Sequence, residues 1–372
     1  MDKFIPLCIP EIKGNEWKYV KECIDTAWVS SIGSYVDMFE ERFQEYIGAK
    51  KAVVTVNGTA ALHLALVTLK IGKGDEVIVP SMTFISPVNT IKYAGAEPVF
   101  VDVCRDTYVM DTSKLEELIT EKTKAIMPVH IYGHPVDMDE VMRIAEKYNL
   151  YVIEDASEAL GSEYKGKKVG TIGHIGCFSF NGNKTITTGA GGMMITNDLL
   201  LGERAKFLSN QTKVVCEDKG FYHPEIGYNY RMPNLLAAFG VAQLECLKEY
   251  LEVKRRNALL YNELLKEIKG ITVPVEKEDC LNSYWLYSVV VEDDFGMGRN
   301  ELVEELKNRN IDSRAFFKPV HGMPPFVDDR AGNMDIGIEL SEKGVSLPSS
   351  VGLSEEDIKR ICETIRDIGG NK

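Results

Sequence analysis

The stretch Cys177-Phe-Ser-Phe-Asn-Gly-Asn-Lys184-Thr-Ile-Thr-Thr-Gly-Ala-Gly-Gly192 constrains this chain more than any other. An apolar run precedes Lys184, and a Gly-rich turn leads into a second apolar run, Met193-Met-Ile-Thr. The pattern predicts a lysine on a tight loop between two buried strands, not a solvated surface charge. An amine enclosed in this way can form a Schiff base with a carbonyl. Lys184 is therefore a candidate catalytic residue, although most loop lysines are structural or idle.

Short apolar runs rich in β-branched residues alternate with helical patterns on both sides of this loop. Near-continuous apolar strands alternating with helices indicate an α/β fold with a mostly parallel sheet covered on both faces. Sites in such folds lie at the carboxyl ends of the strands. The predicted strands are residues 52–56, 76–80, 98–102, 125–129, 151–155, 176–180 and 193–196.

The pattern of apolar and polar residues changes after Met232. A long helical pattern runs from Asn234 to about Ile268, and Tyr284-Trp-Leu-Tyr-Ser-Val-Val-Val predicts a strand. Helices are predicted to open near Leu302 and, with a serine capping box, at Ser354. We therefore expect a large domain over residues 1–245, with an N-terminal helical segment over residues 1–30, and a smaller α/β domain over residues 246–372.

Composition excludes several classes of function. The chain has 372 residues, 44% of them hydrophobic and 27% charged, with a formal net charge of −13. An acidic chain is a poor partner for nucleic acid, because no basic excess is present to displace counterions. No apolar run is long enough to span a membrane, and no signal peptide is evident. The sequence thus predicts a cytoplasmic protein with neither nucleic acid nor membrane as a partner.

Cysteine and histidine spacing gives no metal site. The eight cysteines form no Cys-x-x-Cys pair, and scattered thiols fit a reducing compartment. Cys177 has no evident basic neighbour, so we expect a core residue and not a nucleophile. His130 and His134 have the i, i+4 spacing of a metal pair, but Gly133 and Pro135 argue against a helix there. We expect no bound metal.

Two further motifs have both a structural and a functional interpretation. Asp155 ends the run Tyr151-Val-Ile-Glu-Asp, where it could cap the next segment or pair with a protonated pyridine nitrogen. Asn57-Gly-Thr-Ala-Ala-Leu could simply begin a helix, or its backbone N–H groups could bind an anion, with Ser179 adding a hydroxyl. Phe84 could pack in the core or stack on a flat cofactor.

Taken together, the motifs resemble the DegT/DnrJ/EryC1/StrS family of pyridoxal-phosphate-dependent sugar aminotransferases over nearly the whole chain. The motifs that carry the resemblance are Asn57-Gly-Thr-Ala-Ala-Leu, Pro80-Ser-Met-Thr-Phe, Pro128-Val-His-Ile-Tyr-Gly, Glu154-Asp-Ala-Ser-Glu-Ala, Phe178-Ser-Phe-Asn-Gly-Asn-Lys, Gly227-Tyr-Asn-Tyr-Arg-Met and Ser346-Leu-Pro-Ser.

The resemblance implies an aspartate-aminotransferase-like fold (fold type I) with a seven-stranded sheet, and a homodimer with shared active sites. It implies that Lys184 binds pyridoxal 5'-phosphate covalently and that Asp155 pairs with the pyridine nitrogen. It implies further cofactor contacts from Gly58, Thr59, Ala60, Phe84, Glu158, Ser179 and, across the dimer, Asn229.

One position departs from the commonest family pattern. Many members have Gln where this chain has Glu158, near the phenolic oxygen of the cofactor. A carboxylate beside a phenolate would repel it unless one of the two is protonated. The sequence therefore predicts a proton shared between Glu158 and that oxygen.

The resemblance also implies a reaction. Intact Lys184 favours transamination with L-glutamate over the dehydratases, in which histidine replaces the lysine. The predicted acceptor is a nucleotide-linked 4-keto-6-deoxysugar for surface glycan synthesis, with substrate contacts from Trp28, Ser31, Lys318 and His321. A 3-ketosugar aminotransferase, a lyase that uses the same lysine, and a regulator without catalysis remain alternatives.

Overall fold

The computed structural model describes residues 3–216 and 220–369. The described residues form ten α-helices and sixteen short strands. The helices are α1 (Glu16–Asp25), α2 (Ser34–Ile47), α3 (Gly58–Thr68), α4 (Ile85–Tyr93), α5 (Met138–Tyr148), α6 (Leu199–Ser209), α7 (Asn234–Leu265), α8 (Arg299–Asn308), α9 (Asp335–Lys343) and α10 (Glu355–Gly369). The strands are β1 (Lys51–Thr55), β2 (Glu76–Pro80), β3 (Glu97–Val101), β4 (Thr123–Ile126), β5 (Tyr151–Asp155), β6 (Glu163–Tyr164), β7 (Lys167–Lys168), β8 (Ile175–Ser179), β9 (Gly192–Thr196), β10 (Val214–Cys216), β11 (Gly220–Tyr222), β12 (Ile271–Thr272), β13 (Cys280–Leu281), β14 (Tyr287–Val291), β15 (Arg314–Ala315) and β16 (Gly344–Leu347).

The central sheet has seven strands in the order β1-β9-β8-β5-β4-β2-β3. These are the seven predicted strands, each within two residues at its start. Successive residues of a strand face opposite sides of the sheet, and both sides are buried. Val53, for example, packs with α3, α4 and α6, whereas Val54 packs with α2 and α7. This two-sided burial explains why the strands are continuous apolar runs.

One strand of the sheet, β9, runs against its neighbours. It pairs antiparallel with both β1 and β8, while the other pairings in the sheet are parallel. Only Phe180 to Gly191 separate β8 from β9, and this segment contains no helix. A strand parallel to β8 would need a crossover connection, usually through a helix. Because this segment has none, the chain turns back directly and β9 runs antiparallel to β8. Lys184 lies on this return.

The C-terminal part contains a four-stranded antiparallel sheet in the order β12-β14-β16-β15. Helix α10 covers it with Ile358, Ile361 and Ile365. The predicted capping box is present, because the N–H of Asp357 donates to Ser354 Oγ at 3.1 Å. The strand predicted from residue 284 begins three residues later, at Tyr287.

Helix α7 connects the two parts of the chain. Its first half packs in the cluster around α2, and its last turns, with Ala258 and Tyr261, pack in the cluster around the second sheet. The segment before α1 also joins the second part, because Ile5 is buried there and forms a parallel bridge with Ile311. Among the described residues of the helical segment expected over residues 1–30, only Glu16–Asp25 forms a helix, α1. The domain boundary at 245 stays a prediction.

Within the described residues, none of the helices has the length and apolar character needed to cross a bilayer.

Candidate active site

A cavity of about 340 Å³ opens at the carboxyl ends of the central strands. The turn after β1, the start of α4, the end of β5, the end of β8 and the loop that follows β8 all contribute to its wall. Segments from the second part, around Trp285 and Phe317, close the opposite side. Of the predicted site residues, the cavity brings together Gly58, Thr59, Phe84, Asp155, Glu158, Ser179 and Lys184.

Lys184 lies on the tight return between β8 and β9, as the sequence predicts. Its backbone N–H donates to Asn181 O at 3.0 Å, which closes the turn. Its side chain is 12% exposed, and Nζ lies 3.4 Å from Glu158 Oε1. The same atom lies 3.8 Å from the centre of the Trp285 ring. The amine is therefore in contact with both a carboxylate and an aromatic face.

Asp155 is the last residue of β5 and is buried on the cavity wall. Oδ1 accepts the backbone N–H of Ser157 at 3.0 Å, the capping interaction considered from the sequence. Burial raises the pKa of Asp155, and the hydrogen bond from Ser157 and the charge of Lys184 oppose that rise. Among the described residues, no cation forms an ion pair with Asp155 within 4 Å. A buried carboxylate in this state favours a cationic ligand.

Glu158 is the second buried carboxylate of the cavity. Oε2 accepts the backbone N–H of Tyr132 at 3.0 Å. Burial raises the pKa of Glu158, whereas the charge of Lys184 and the hydrogen bond from Tyr132 lower it. Tyr132 has a left-handed backbone with φ of 54°, which is uncommon for a non-glycine residue. This conformation aims the N–H at Glu158.

The start of α3 forms a backbone cradle on the cavity wall. Asn57 caps the helix through Ala60, whose N–H donates to Oδ1 at 2.7 Å. In the described part of the chain, the N–H groups of Gly58 and Thr59 have no acceptor. A Cβ at Gly58 would lie 2.8 Å from the Ser179 Cβ, so only glycine allows the two segments this close approach. Free N–H groups at a helix start suit a phosphate.

A buried pair lies directly behind Asp155. His130 Nε2 and Glu154 Oε2 are 3.0 Å apart, and both side chains are fully buried. His130 Nδ1 accepts the N–H of Val136 at 3.0 Å, so the hydrogen of the neutral ring is on Nε2. The backbone N–H of His130 donates to Asp155 O at 3.1 Å. The pair thus fixes the strand ends that carry Asp155.

The other predicted site residues do not line this cavity. Ala60 only donates its N–H to the cap, and Asn229 is exposed beside a bridge to Asn210. Trp28 and Lys318 are exposed, and the Ser31 carbonyl accepts a hydrogen bond from Arg231. His321 Nδ1 lies 2.7 Å from Ser81 Oγ. Their predicted roles toward cofactor or substrate stay predictions.

Several residues of the cavity wall were missed by sequence reasoning. Trp285 belongs to a segment assigned to a strand, and Tyr132, which packs behind the wall residues Trp285 and Phe317, was noticed only as part of a motif. Phe317 stacks on the Tyr132 ring with centroids 5.7 Å apart, and Arg314 stands beside it on β15. Thr83 also lines the cavity, with its buried Oγ1 unpartnered among the described residues. The aromatic richness of residues 284–287 and 316–317 was the available signal.

The seven-stranded sheet, and the cavity at its edge that is lined by both Lys184 and the buried Asp155, define an enzyme of the aspartate-aminotransferase-like fold (fold type I). The chain belongs to the DegT/DnrJ/EryC1/StrS aminotransferase family, whose profile matches residues 10–366. The enzyme class expected from the sequence, an aminotransferase, is confirmed.

Individual relatives match over their full length. GDP-perosamine synthase of Escherichia coli O157:H7 is 45% identical over 370 residues, covering 100% of both chains. GDP-perosamine synthase of Caulobacter vibrioides is 42% identical over 365 residues, covering 98% of both. The PLP form of Spr1654 from Streptococcus pneumoniae superposes with a TM-score of 0.93 at 28% identity, covering 99% of both.

Proposed function

We propose that this chain is a pyridoxal 5'-phosphate-dependent aminotransferase that moves an amino group from L-glutamate to a nucleotide-linked 4-keto-6-deoxysugar. The products are a 4-amino-4,6-dideoxysugar, for a surface glycan or polysaccharide, and 2-oxoglutarate. The observation that carries the proposal is the placement of Lys184 and Asp155 in one cavity, beside the free N–H groups at the start of α3.

The residues of the cavity fit this cofactor. Asp155 is a buried carboxylate without a cationic ion-pair partner among the described residues, as a protonated pyridine nitrogen requires. The N–H groups of Gly58 and Thr59, with the Ser179 hydroxyl, fit a phosphate. Phe84 supplies an exposed ring on the same wall. When bound, pyridoxal phosphate supplies a carbonyl for amines and a cationic ring that takes up the electron pair of a broken C–H bond.

Each catalytic side chain then has a defined task. In the first half-reaction, the free amine of Lys184 takes the proton from the donor Cα. In the second half-reaction, which runs in reverse, it gives a proton to the sugar carbon that receives the new amine. Asp155 holds the proton on the ring nitrogen. Glu158, which already accepts the N–H of Tyr132, shares a proton with the phenolic oxygen. The Lys184 side chain is only 12% exposed, which limits the access of water to that proton.

The nucleotide is proposed from the relatives. Both perosamine synthases named above use a GDP-linked sugar by their names, so a GDP-sugar is favoured over UDP- and dTDP-sugars. Trp28, Ser31, Lys318 and His321 are proposed to contact it. They lie outside the cavity of the single chain, as residues that hold the outer part of a long substrate would.

The proposed assembly is a cytoplasmic homodimer with shared active sites. Asn229 would reach the cofactor phosphate of the partner subunit. Two observations support this arrangement. Asn229 is exposed, and it follows a segment with exposed apolar residues, including Phe221 and Ile226.

The test follows the near-visible absorbance of the bound cofactor. L-Glutamate should bleach the band, and one 4-ketosugar from a panel of GDP-, UDP- and dTDP-linked compounds should restore it. Lys184→Ala should abolish turnover, whereas Lys165→Ala, at an exposed hairpin tip, should leave it intact. Substantial steady-state transamination by Lys184→Ala would refute the proposal.

The product separates the remaining alternatives. An amine at C4 supports the proposal, and NMR of the purified product locates it. An amine at C3 would make the enzyme a 3-ketosugar aminotransferase. A product without a new amine would make it a lyase.

A further inference from the structure

The amine of Lys184 has two neighbours of different chemistry. Glu158 Oε1 lies 3.4 Å from it, and the centre of the Trp285 ring lies 3.8 Å from it. An ammonium at this distance from an indole face makes a cation–π contact, which is strongest where water is excluded. The Lys184 side chain is 12% exposed, so this contact is largely desolvated.

The Trp285 ring is itself fixed. Its Nε1–H donates to the carbonyl of Asn183 at 2.7 Å. Asn183 directly precedes Lys184, so the indole holds the lysine loop by its backbone and the lysine amine by its face. Trp285 is 2% exposed, and its ring stacks against the Tyr132 ring with an angle of 17° between the two ring planes. It has no freedom to turn away without leaving the Asn183 carbonyl.

The backbone of Trp285 is held by an unusual group, the buried amine of Lys254. Lys254 lies on α7, is 4% exposed and donates from Nζ to Trp285 O at 3.1 Å and to Ser349 O at 2.6 Å. Among the described residues, no carboxylate lies within 4 Å of that amine. A buried lysine without a counter-ion is costly, and burial lowers its pKa. The hydrogen bonds from Lys254 to the two carbonyl oxygens offset part of this cost.

We propose that Trp285 is a positioning residue: its indole face holds Lys184 Nζ in place and stabilises the ammonium that forms when the released amine takes the donor proton, and Lys254 fixes Trp285 for this task. The inference rests on the proposed function, in which the free amine of Lys184 moves the proton of the donor Cα. It adds a residue from the C-terminal part to that step. The active-site lysine is then aligned by both parts of the chain, with α7 as the connection.

The first experiment needs no activity. In cofactor-free protein, an acetylating reagent labels exposed amines, and peptide mass spectrometry follows Lys184. Trp285→Leu should speed the labelling of Lys184 about tenfold, the scale of a desolvated cation–π contact. Trp285→Phe keeps an aromatic face but loses the hydrogen bond to Asn183, so its labelling rate should lie between those of wild type and Trp285→Leu. Trp17→Leu, which changes a tryptophan that is 80% exposed, is the matched control and should leave the rate unchanged.

The second experiment measures the proton transfer. In single-turnover reactions with L-glutamate, Trp285→Leu should be about tenfold slower, with a larger isotope effect for glutamate deuterated at Cα. The Michaelis constant for glutamate should change little. Lys254→Met should share the slower transfer and the larger isotope effect. A purely structural role would lower stability but leave the isotope effect at its wild-type value.

The outcomes separate the inference from the proposed function. Wild-type labelling of Lys184 and a wild-type isotope effect in Trp285→Leu would overturn the inference while leaving the aminotransferase proposal intact. Failure of the wild-type enzyme to react with glutamate would refute the proposed function, and the labelling of Lys184 would still decide the role of Trp285.

Discussion

Replacing Glu154 by glutamine should destabilise the enzyme strongly, although the two side chains have nearly the same shape. The buried carboxylate accepts four hydrogen bonds. Oε2 accepts from His130 Nε2 at 3.0 Å and from Gly170 N at 2.7 Å, and Oε1 accepts from Ile172 N at 2.8 Å and Gly173 N at 2.6 Å. Glutamine can place its amide group at either oxygen position, and both positions are surrounded by donors.

The magnitude follows from these contacts. In either orientation the new amide group faces two N–H donors, which lose their acceptor. Each buried donor left unpaired costs about 1–3 kcal/mol, so the expected loss of stability is about 2–6 kcal/mol. Since domains are stable by only about 5–15 kcal/mol, Glu154→Gln should unfold at clearly lower denaturant concentration. The loosened strand end should also weaken cofactor binding at Asp155.

Urea unfolding of the cofactor-free protein, followed by tryptophan fluorescence, measures this loss. Glu117→Gln is the matched control, because Glu117 is exposed, and surface substitutions usually stay within about 0.5 kcal/mol. Unfolding free energies of Glu154→Gln and wild type that agree within about 1 kcal/mol would show that the four hydrogen bonds do not define this site as argued.

Three further predictions concern the cavity. Burial raises the pKa of Asp155 above its ordinary value of 3.8. Between the unfolded and the folded pKa, the folded cofactor-free protein holds a proton that the unfolded chain has lost, so stability falls as pH rises through the folded pKa. Asp155→Asn should remove this loss of stability, which is at most about 1.4 kcal/mol per pH unit for one proton. If the unfolding free energies of wild type and Asp155→Asn, measured in urea, changed equally with pH, the raised pKa would not belong to Asp155. Glu158→Gln should shift the pH titration of the bound cofactor's absorbance, because it removes the shared proton, and an unchanged titration would end that idea. Gly58→Ala places a Cβ 2.8 Å from the Ser179 Cβ, so it should weaken binding of pyridoxal phosphate at least about tenfold and cost about 1–3 kcal/mol of stability. Cofactor titration and thermal unfolding measure the two effects, and an unchanged affinity would argue against the cradle. Gly322→Ala is the control, because a Cβ at Gly322 meets no neighbour.

Local patterns predicted most of the fold. The seven strands of the central sheet are continuous apolar runs because both faces are buried, and such runs are visible without any knowledge of partners. The long helix α7 begins at Asn234 as predicted, and the cap at Ser354 is a property of four neighbouring residues. The lysine loop and the aspartate at a strand end were predicted for the same reason.

What the sequence missed depends on contacts between distant segments. Trp285 contacts Lys184, and its own hydrogen bonds go to Lys254 and Asn183, residues that are far apart in the chain. Tyr284 has φ of 48°, so the apolar run does not become strand until Tyr287, although its composition is that of a strand. The pairing of His130 with Glu154 requires that β4 and β5 be neighbours, which no local pattern states.

The bridge between Ile5 and Ile311 has a consequence for how the protein is made. Ile5 is 1% exposed in the core around the second sheet, and Ser349 N donates to Leu7 O at 2.6 Å. The segment near residue 5 is therefore synthesised long before Ile311 and Ser349, and it stays unpaired until those residues have left the ribosome. Pairings so distant in sequence form slowly, because a long loop has to close first. The wall that carries Trp285 belongs to this late-formed part. We therefore expect the growing chain to acquire its cofactor only near the end of synthesis, and any fragment lacking the last strands to expose an apolar edge that chaperones recognise.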